Sequence, residues 1–208
     1  MLAIVDYGVG NLFSLQCSLK KIGEIPVVTG KSEELAKADR IILPGVGAFG
    51  DAAAKLRQSG LDKVLKDLTA KGKPLLGICL GMQLLFDKSY EYGEHEGLGL
   101  IKGAIRPIAD VVPKDLKIPH MGWNALHFVK PHPLFKYLKE NDCVYFVHSY
   151  HGTDCAETML ATAEYGAELT AAVGQKNVMG CQFHPEKSGE VGLNILRAFC
   201  EMKAGKLC

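Results

Sequence analysis

The residue best placed for chemistry is Cys79, in Gly77-Ile78-Cys79-Leu80-Gly81 at the end of an apolar run that begins at Pro74. A G-x-C-x-G between a strand and a helix fits a nucleophile elbow with sulfur in place of a hydroxyl. Such a turn is too tight for side chains two positions to either side, and it lifts the nucleophile above the sheet edge. A cysteine there meets free helix N–H groups, which favour thiolate over thiol, and the Leu80 N–H points where an oxyanion would form. The same pentapeptide also fits a buried strand-end cysteine flanked by packing glycines, so a base and a second donor must decide.

The base is offered by Gln182-Phe183-His184-Pro185-Glu186-Lys187-Ser188, directly after the apolar strand Val178 to Cys181. A histidine followed two residues later by a carboxylate, with proline restricting the backbone between them, holds an imidazole and its orienting anion in one short loop. Glu186 would fix the His184 tautomer, and His184 would take the Cys79 proton and later give it to a leaving group. A second oxyanion donor is offered by the N–H of Val46 or Gly47, in a Gly-Val-Gly loop that follows the strand Arg40 to Leu43. Read alone, that loop is also an ordinary strand-to-helix turn.

The remaining titratable residues carry less. His148 and His151 have an i, i+3 spacing, but no Cys or carboxylate cluster accompanies them, so no metal is expected. His95, His120, His127 and His132 read as loop, strand-end or turn residues. Gly8-Val9-Gly10 lacks the third glycine of a dinucleotide fingerprint, since Phe13 stands there. The seven cysteines, at 17, 79, 143, 155, 181, 200 and 208, form no Cys-x-x-Cys pair and are expected as free thiols.

The positioning elements follow from the apolar pattern. Short β-branched runs alternate with helical ones: strands Leu2 to Val5, Pro26 to Val28 and Arg40 to Leu43, with helices Asn11 to Ile22 and Ser32 to Lys37 between them. Helices are expected over Asp51 to Leu56 and Leu61 to Ala70, then a central strand Pro74 to Cys79 and a helix Leu80 to Phe86. Beyond Leu98 the texture changes to shorter strands: Leu100 to Ile105, Trp123 to Val129, Val144 to His148, Met159 to Glu164, and a hairpin of Leu169 to Gly174 with Val178 to Phe183. A last helix runs near Val191 to Lys203. The reading is one three-layer α/β domain over 1–208, with a mostly parallel central sheet and additional antiparallel strands. Spacing alone makes Trp123 a core anchor.

Composition narrows the function classes. Apolar residues are 48% of the chain and charged ones 23%, and the formal net charge is +1. No basic stripe suggests nucleic acid, and no apolar run of about 18 residues suggests a membrane span. Met1 to Asp6 enters a strand without a targeting leader, so a cytoplasmic protein is expected.

Gly77 to Gln83 together with His184 to Glu186 closely resembles the class I glutamine amidotransferases, whose fold is flavodoxin-like. Other segments narrow the resemblance to the glutaminase subunits of imidazole glycerol-phosphate synthases. These are Asp6-Tyr7-Gly8-Val9-Gly10-Asn11-Leu12, Pro44 to Asp51, Gly97 to Ile101, Pro119-His120-Met121-Gly122-Trp123-Asn124 and Phe146 to Tyr150. Ala54, His151 and Gly189 depart from the usual pattern, His151 standing where a tyrosine is common. The resemblance implies L-glutamine held by the Gln83 side chain and by backbone near Gly47, Ser149 and Tyr150, with a Cys79 thioester and no cofactor. It also implies a heterodimer with a (β/α)8 cyclase that takes the ammonia into histidine biosynthesis. Pro119, His120, Met121, Gly122, Trp123, Asn124 and Lys187 would face that partner. The alternatives are a glutaminase for anthranilate or guanylate synthesis, an ester or lactone hydrolase, and a non-catalytic regulatory subunit. The order His-then-acid argues against the ester hydrolase, because α/β-hydrolases place the acid first.

Overall fold

The computed structural model describes residues 1–202. Along the chain run β1 (Leu2–Val5), α1 (Leu12–Lys21), β2 (Val27–Thr29), α2 (Ser32–Lys37), β3 (Arg40–Leu43), α3 (Phe49–Gln58), α4 (Leu61–Ala70) and β4 (Leu75–Ile78). After the single-turn α5 (Leu80–Gln83) come β5 (Phe86–Ser89), β6 (His95–Glu96), β7 (Ile101–Pro107), β8 (His120–Ala125) and β9 (His127–Phe128). The chain continues through β10 (Cys143–His148), β11 (Tyr150–Thr153), β12 (Met159–Glu164), β13 (Glu168–Gln175), β14 (Val178–Cys181) and α6 (Gly189–Glu201). The expected helix end at Lys203, and Cys208, lie outside the described residues.

An eight-stranded sheet in the order β2-β1-β3-β4-β14-β13-β12-β9 forms the middle layer. Its first five strands are parallel, and β13, β12 and β9 add antiparallel pairings. Period-two alternation splits the apolar runs between its faces. Leu2 and Ile4 pack with Leu15 and Leu19 of α1 and with Ile195, Leu196 and Phe199 of α6. Ala3 and Val5 pack with Leu35 of α2, Leu56 of α3 and Leu65 of α4 on the opposite side. Both faces being covered, the central strands carry unbroken apolar sequence. A four-stranded sheet, β11-β7-β5-β6, and the antiparallel pair β10-β8 complete the fold.

Three expectations need correction. The helix expected over Leu80–Phe86 stops after one turn and becomes β5. The Gly97–Ile101 segment captures the carbonyls that further turns would need, with Leu98 N–H donating to Leu84 O and Leu100 and Ile101 N–H to Leu85 O. The strand expected over Trp123–Val129 breaks at buried Leu126, whose N–H goes to Asp142 O, so β8 pairs with β10 while β9 joins the large sheet. Trp123 is 57% exposed and not a core anchor, because its place on β8 faces away from the sheet core while His120, Gly122 and Asn124 take the other face. β5, β6 and β11 are strands that apolar periodicity did not predict.

Candidate active site

The decisive feature of the topology is that β3, β4 and β14 are adjacent and parallel. Their C-terminal ends deliver Gly45–Gly47, Cys79 and His184 to one sheet edge, the place where open α/β sheets bind ligands.

Cys79 has φ 54° and ψ −113°, a conformation that non-glycine residues avoid, held here by the surrounding fold. The flanking glycines explain how. A Cβ on Gly77 would lie 2.6 Å from Gly81 O, and one on Gly81 would lie 1.9 Å from Leu43 O. Both approaches are to backbone, so only glycine fits. The expected helix-dipole assistance shrinks, because α5 is a single turn. What remains is local: the Leu80 and Gly81 N–H groups have no intrahelical acceptor.

The histidine loop is fastened from the neighbouring strand. Tyr145 O accepts from His184 N–H at 2.9 Å, while Ser188 Oγ donates to His184 O at 2.6 Å and accepts from Tyr145 N–H at 2.9 Å. Within it His184 Nδ1 lies 2.8 Å from Glu186 Oε1, both side chains being 4% exposed. Burial works against charge on this imidazole, but hydrogen bonds to the Cys79 sulfur and to Glu186 outweigh it and lift its pKa to about 9. The protonated form of this imidazole is therefore the favoured one, beside the Cys79 sulfur. Nδ1 donates to Glu186, which leaves Nε2 for the sulfur.

A cleft of about 540 Å³ opens over Cys79, lined among others by Val46, Gly47, Leu80, Gln83, Ser149, Tyr150 and His184. Every residue expected from the sequence at the nucleophile, oxyanion and substrate positions is thus brought together. Lys187, expected on the partner side, also reaches this rim. Met121 and Trp123 are exposed, with Pro119 nearby on the surface and Gly122 and Asn124 half-buried. His120 is the exception among them, its side chain being buried at 3% exposure.

The geometry adds residues that local sequence left unassigned. Tyr7 donates from its buried hydroxyl to Pro44 O at 2.9 Å, tying the N-terminal glycine loop to the Gly45–Gly47 segment. Gln182, fully buried, directs Nε2 at the Cys79 sulfur at 3.8 Å and accepts from Gln83 Nε2 at 3.0 Å. Glu91 lines the cleft and accepts from the Phe49 N–H at 2.6 Å, anchoring the start of α3. Only Tyr7 and Gln182 lay within motifs that could have signalled them.

The family model for glutamine amidotransferase class-I matches residues 3–202.

The chain belongs to the class I glutamine amidotransferases.

This amidotransferase is 50% identical over 203 residues to the imidazole glycerol phosphate synthase subunit HisH of Oceanobacillus iheyensis, covering 97% of this chain and 99% of that one. It is 49% identical to the HisH subunit of Bacillus subtilis over 207 residues, covering 98% and 97%. A solved glutamine amidotransferase shares the fold at a TM-score of 0.75 with 21% identity, covering 96% and 97%. The PurLQS structure from Thermotoga maritima shares it equally, at 0.75 and 21%, covering 96% of each chain. Among the described residues of this amidotransferase no helix is long and apolar enough to cross a membrane.

Proposed function

We propose that this amidotransferase is the glutaminase subunit of an imidazole glycerol-phosphate synthase, a cytoplasmic enzyme of histidine biosynthesis working as one unit over 1–208. The observation that carries the chemistry is the strained Cys79 elbow facing the buried His184–Glu186 pair. The choice of synthase is supported by relatives at about half identity over nearly the whole chain.

The residues divide the work as follows. Gln83 gives both amide hydrogens to Tyr150 O and Gln182 Oε1, so its Oε1 accepts from the α-amino group of glutamine. Backbone of Gly47, Ser149 and Tyr150 positions the rest of the amino acid. The Cys79 thiolate attacks the side-chain amide carbon, and the Leu80 N–H with that of Val46 or Gly47 receives the oxyanion. His184 passes its proton to the nitrogen as ammonia leaves and a glutamyl thioester forms. It then takes a proton from the water that attacks the thioester, and the sulfur leaves as the thiolate, which restores the starting pair and releases glutamate. Glu186 keeps the imidazole oriented and compensates its charge throughout.

Ammonia passes to a (β/α)8 cyclase in a heterodimer, docked over the surface where Met121, Trp123 and Lys187 lie. Ammonia release from glutamine, measured for the chain alone and with a candidate cyclase, tests the reading. Cys79→Ala should abolish glutamine-dependent synthesis by the complex while ammonia-dependent synthesis persists. Glutamine turnover in purified Cys79→Ala protein would refute the nucleophile, and capture of a partner other than a barrel cyclase would move the assignment to another synthase.

A further inference from the structure

Two buried histidines outside the triad form a directed chain that ends at the cleft. Tyr150 O can only accept, so His148 Nδ1, 2.8 Å away, carries a hydrogen and donates it. The Nε2 of this ring then accepts from His120 Nδ1–H at 3.1 Å. His120 Nε2 in turn accepts from Asn124 Nδ2 at 3.4 Å. The same Asn124 nitrogen donates to Glu164 O at 2.6 Å, which fixes the amide's orientation. His120 is held flat between Phe146 and Tyr165, with ring centroids at 4.8 and 4.2 Å. Burial keeps both rings neutral, pushing His148 down to about 3 and lowering His120 as well.

Tyr150 O is where this chain meets the substrate site, because Gln83 Nε2 donates to the same oxygen at 3.2 Å. We propose that His148, oriented by His120, is a positioning residue for glutamine: its Nδ1–H holds the Tyr150 carbonyl that aims the Gln83 amide into the cleft. The proposal rests on the reading of Gln83 as the glutamine ligand. Loss of the His148 donor leaves this part-buried carbonyl short of a partner and frees it to shift, and Gln83 shifts with it. Binding of glutamine suffers, while the Cys79–His184–Glu186 machinery is untouched.

Steady-state glutamine hydrolysis by the complex with its cyclase provides the test. His148→Phe should raise KM about tenfold with kcat within about threefold, the size expected when one hydrogen bond of the site is lost. His148→Asn, whose Nδ2 can occupy the place of Nδ1, should restore KM to within about threefold of wild type. His120→Phe should raise KM in the same direction as His148→Phe. An unchanged KM in His148→Phe, or an equal rise in both His148 variants, overturns the proposal. Ring-nitrogen NMR of the wild-type chain gives an independent readout that does not depend on any variant folding. A neutral His148 protonated on Nδ1 supports the relay, and an Nε2–H tautomer or an imidazolium at neutral pH refutes it. If the wild-type complex releases no ammonia from glutamine, the glutaminase reading has failed, and the tautomer measurement decides the relay by itself.

Discussion

His184 is a cation in a nearly dry site, and its neighbours maintain that state. Its folded pKa of about 9 lies above the ordinary histidine value of 6.5. The folded chain therefore holds a proton that the unfolded chain has lost between those two values, and unfolding free energy falls as pH rises through that window. The stabilisation is complete below about pH 6.5 and gone above about 9, amounting to ~3 kcal/mol at most. Denaturant melts at pH 6 and pH 9.5 should show this drop in wild type and a smaller one in Glu186→Gln, where the anion that favours the charge is absent. The same variant should lower kcat by about 10³- to 10⁴-fold, as when a triad acid becomes an amide. At this scale the triad was legible because a cysteine between glycines and a histidine next to a carboxylate are local patterns. The roles of Gln182 and His148 were not, although both lie within recognisable motifs, since Cys79 and His120 are remote from them in sequence and only packing sets those distances.

At the scale of elements, the elbow depends on how closely α5 lies against the end of β3. Gly81→Ala puts a Cβ 1.9 Å from Leu43 O, a backbone atom that cannot rotate aside. The variant should lose more than about 3 kcal/mol or fail to fold, as overpacking against fixed backbone does. Gly50→Ala is the control, because the atoms nearest its Cβ would be those of the His95 ring, 2.8 Å away at the end of a side chain that can turn. It lies in the first turn of α3 and should change stability by less than about 1 kcal/mol. Thermal melts of the two proteins compare them directly. The parallel strands β1, β3 and β4 were legible as apolar runs since both faces of the sheet are covered. The short α5 was not, because Leu84 to Phe86 continue a helical pattern while distant Gly97–Ile101 takes their carbonyls.

At the scale of the molecule, β8 faces two environments. His120 points inward to the relay, and Met121 and Trp123 point out beside the cleft rim, Trp123 resting edge-on against Tyr145 at 6.1 Å. The proposed docking of the cyclase would use these exposed side chains, since large aromatics carry most of the energy at such contacts. Trp123→Ala should weaken cyclase binding about 10- to 100-fold, read by titration calorimetry, while the melting temperature of the free chain moves by no more than a few degrees. An unchanged affinity would place the docking surface elsewhere.

The sequence by itself determined the alternating α/β order and the family, and it carried the proposal of Cys79, His184 and Glu186 as a triad, because each is written in contiguous residues or short-range periodicity. The tertiary structure alone decided which strand ends meet, how early α5 stops, which way Trp123 and His120 face, and that a chain of hydrogen bonds links Asn124 to the cleft. Those outcomes depend on distances between residues far apart along the chain, and such distances are fixed only when the sheet assembles and its faces are packed.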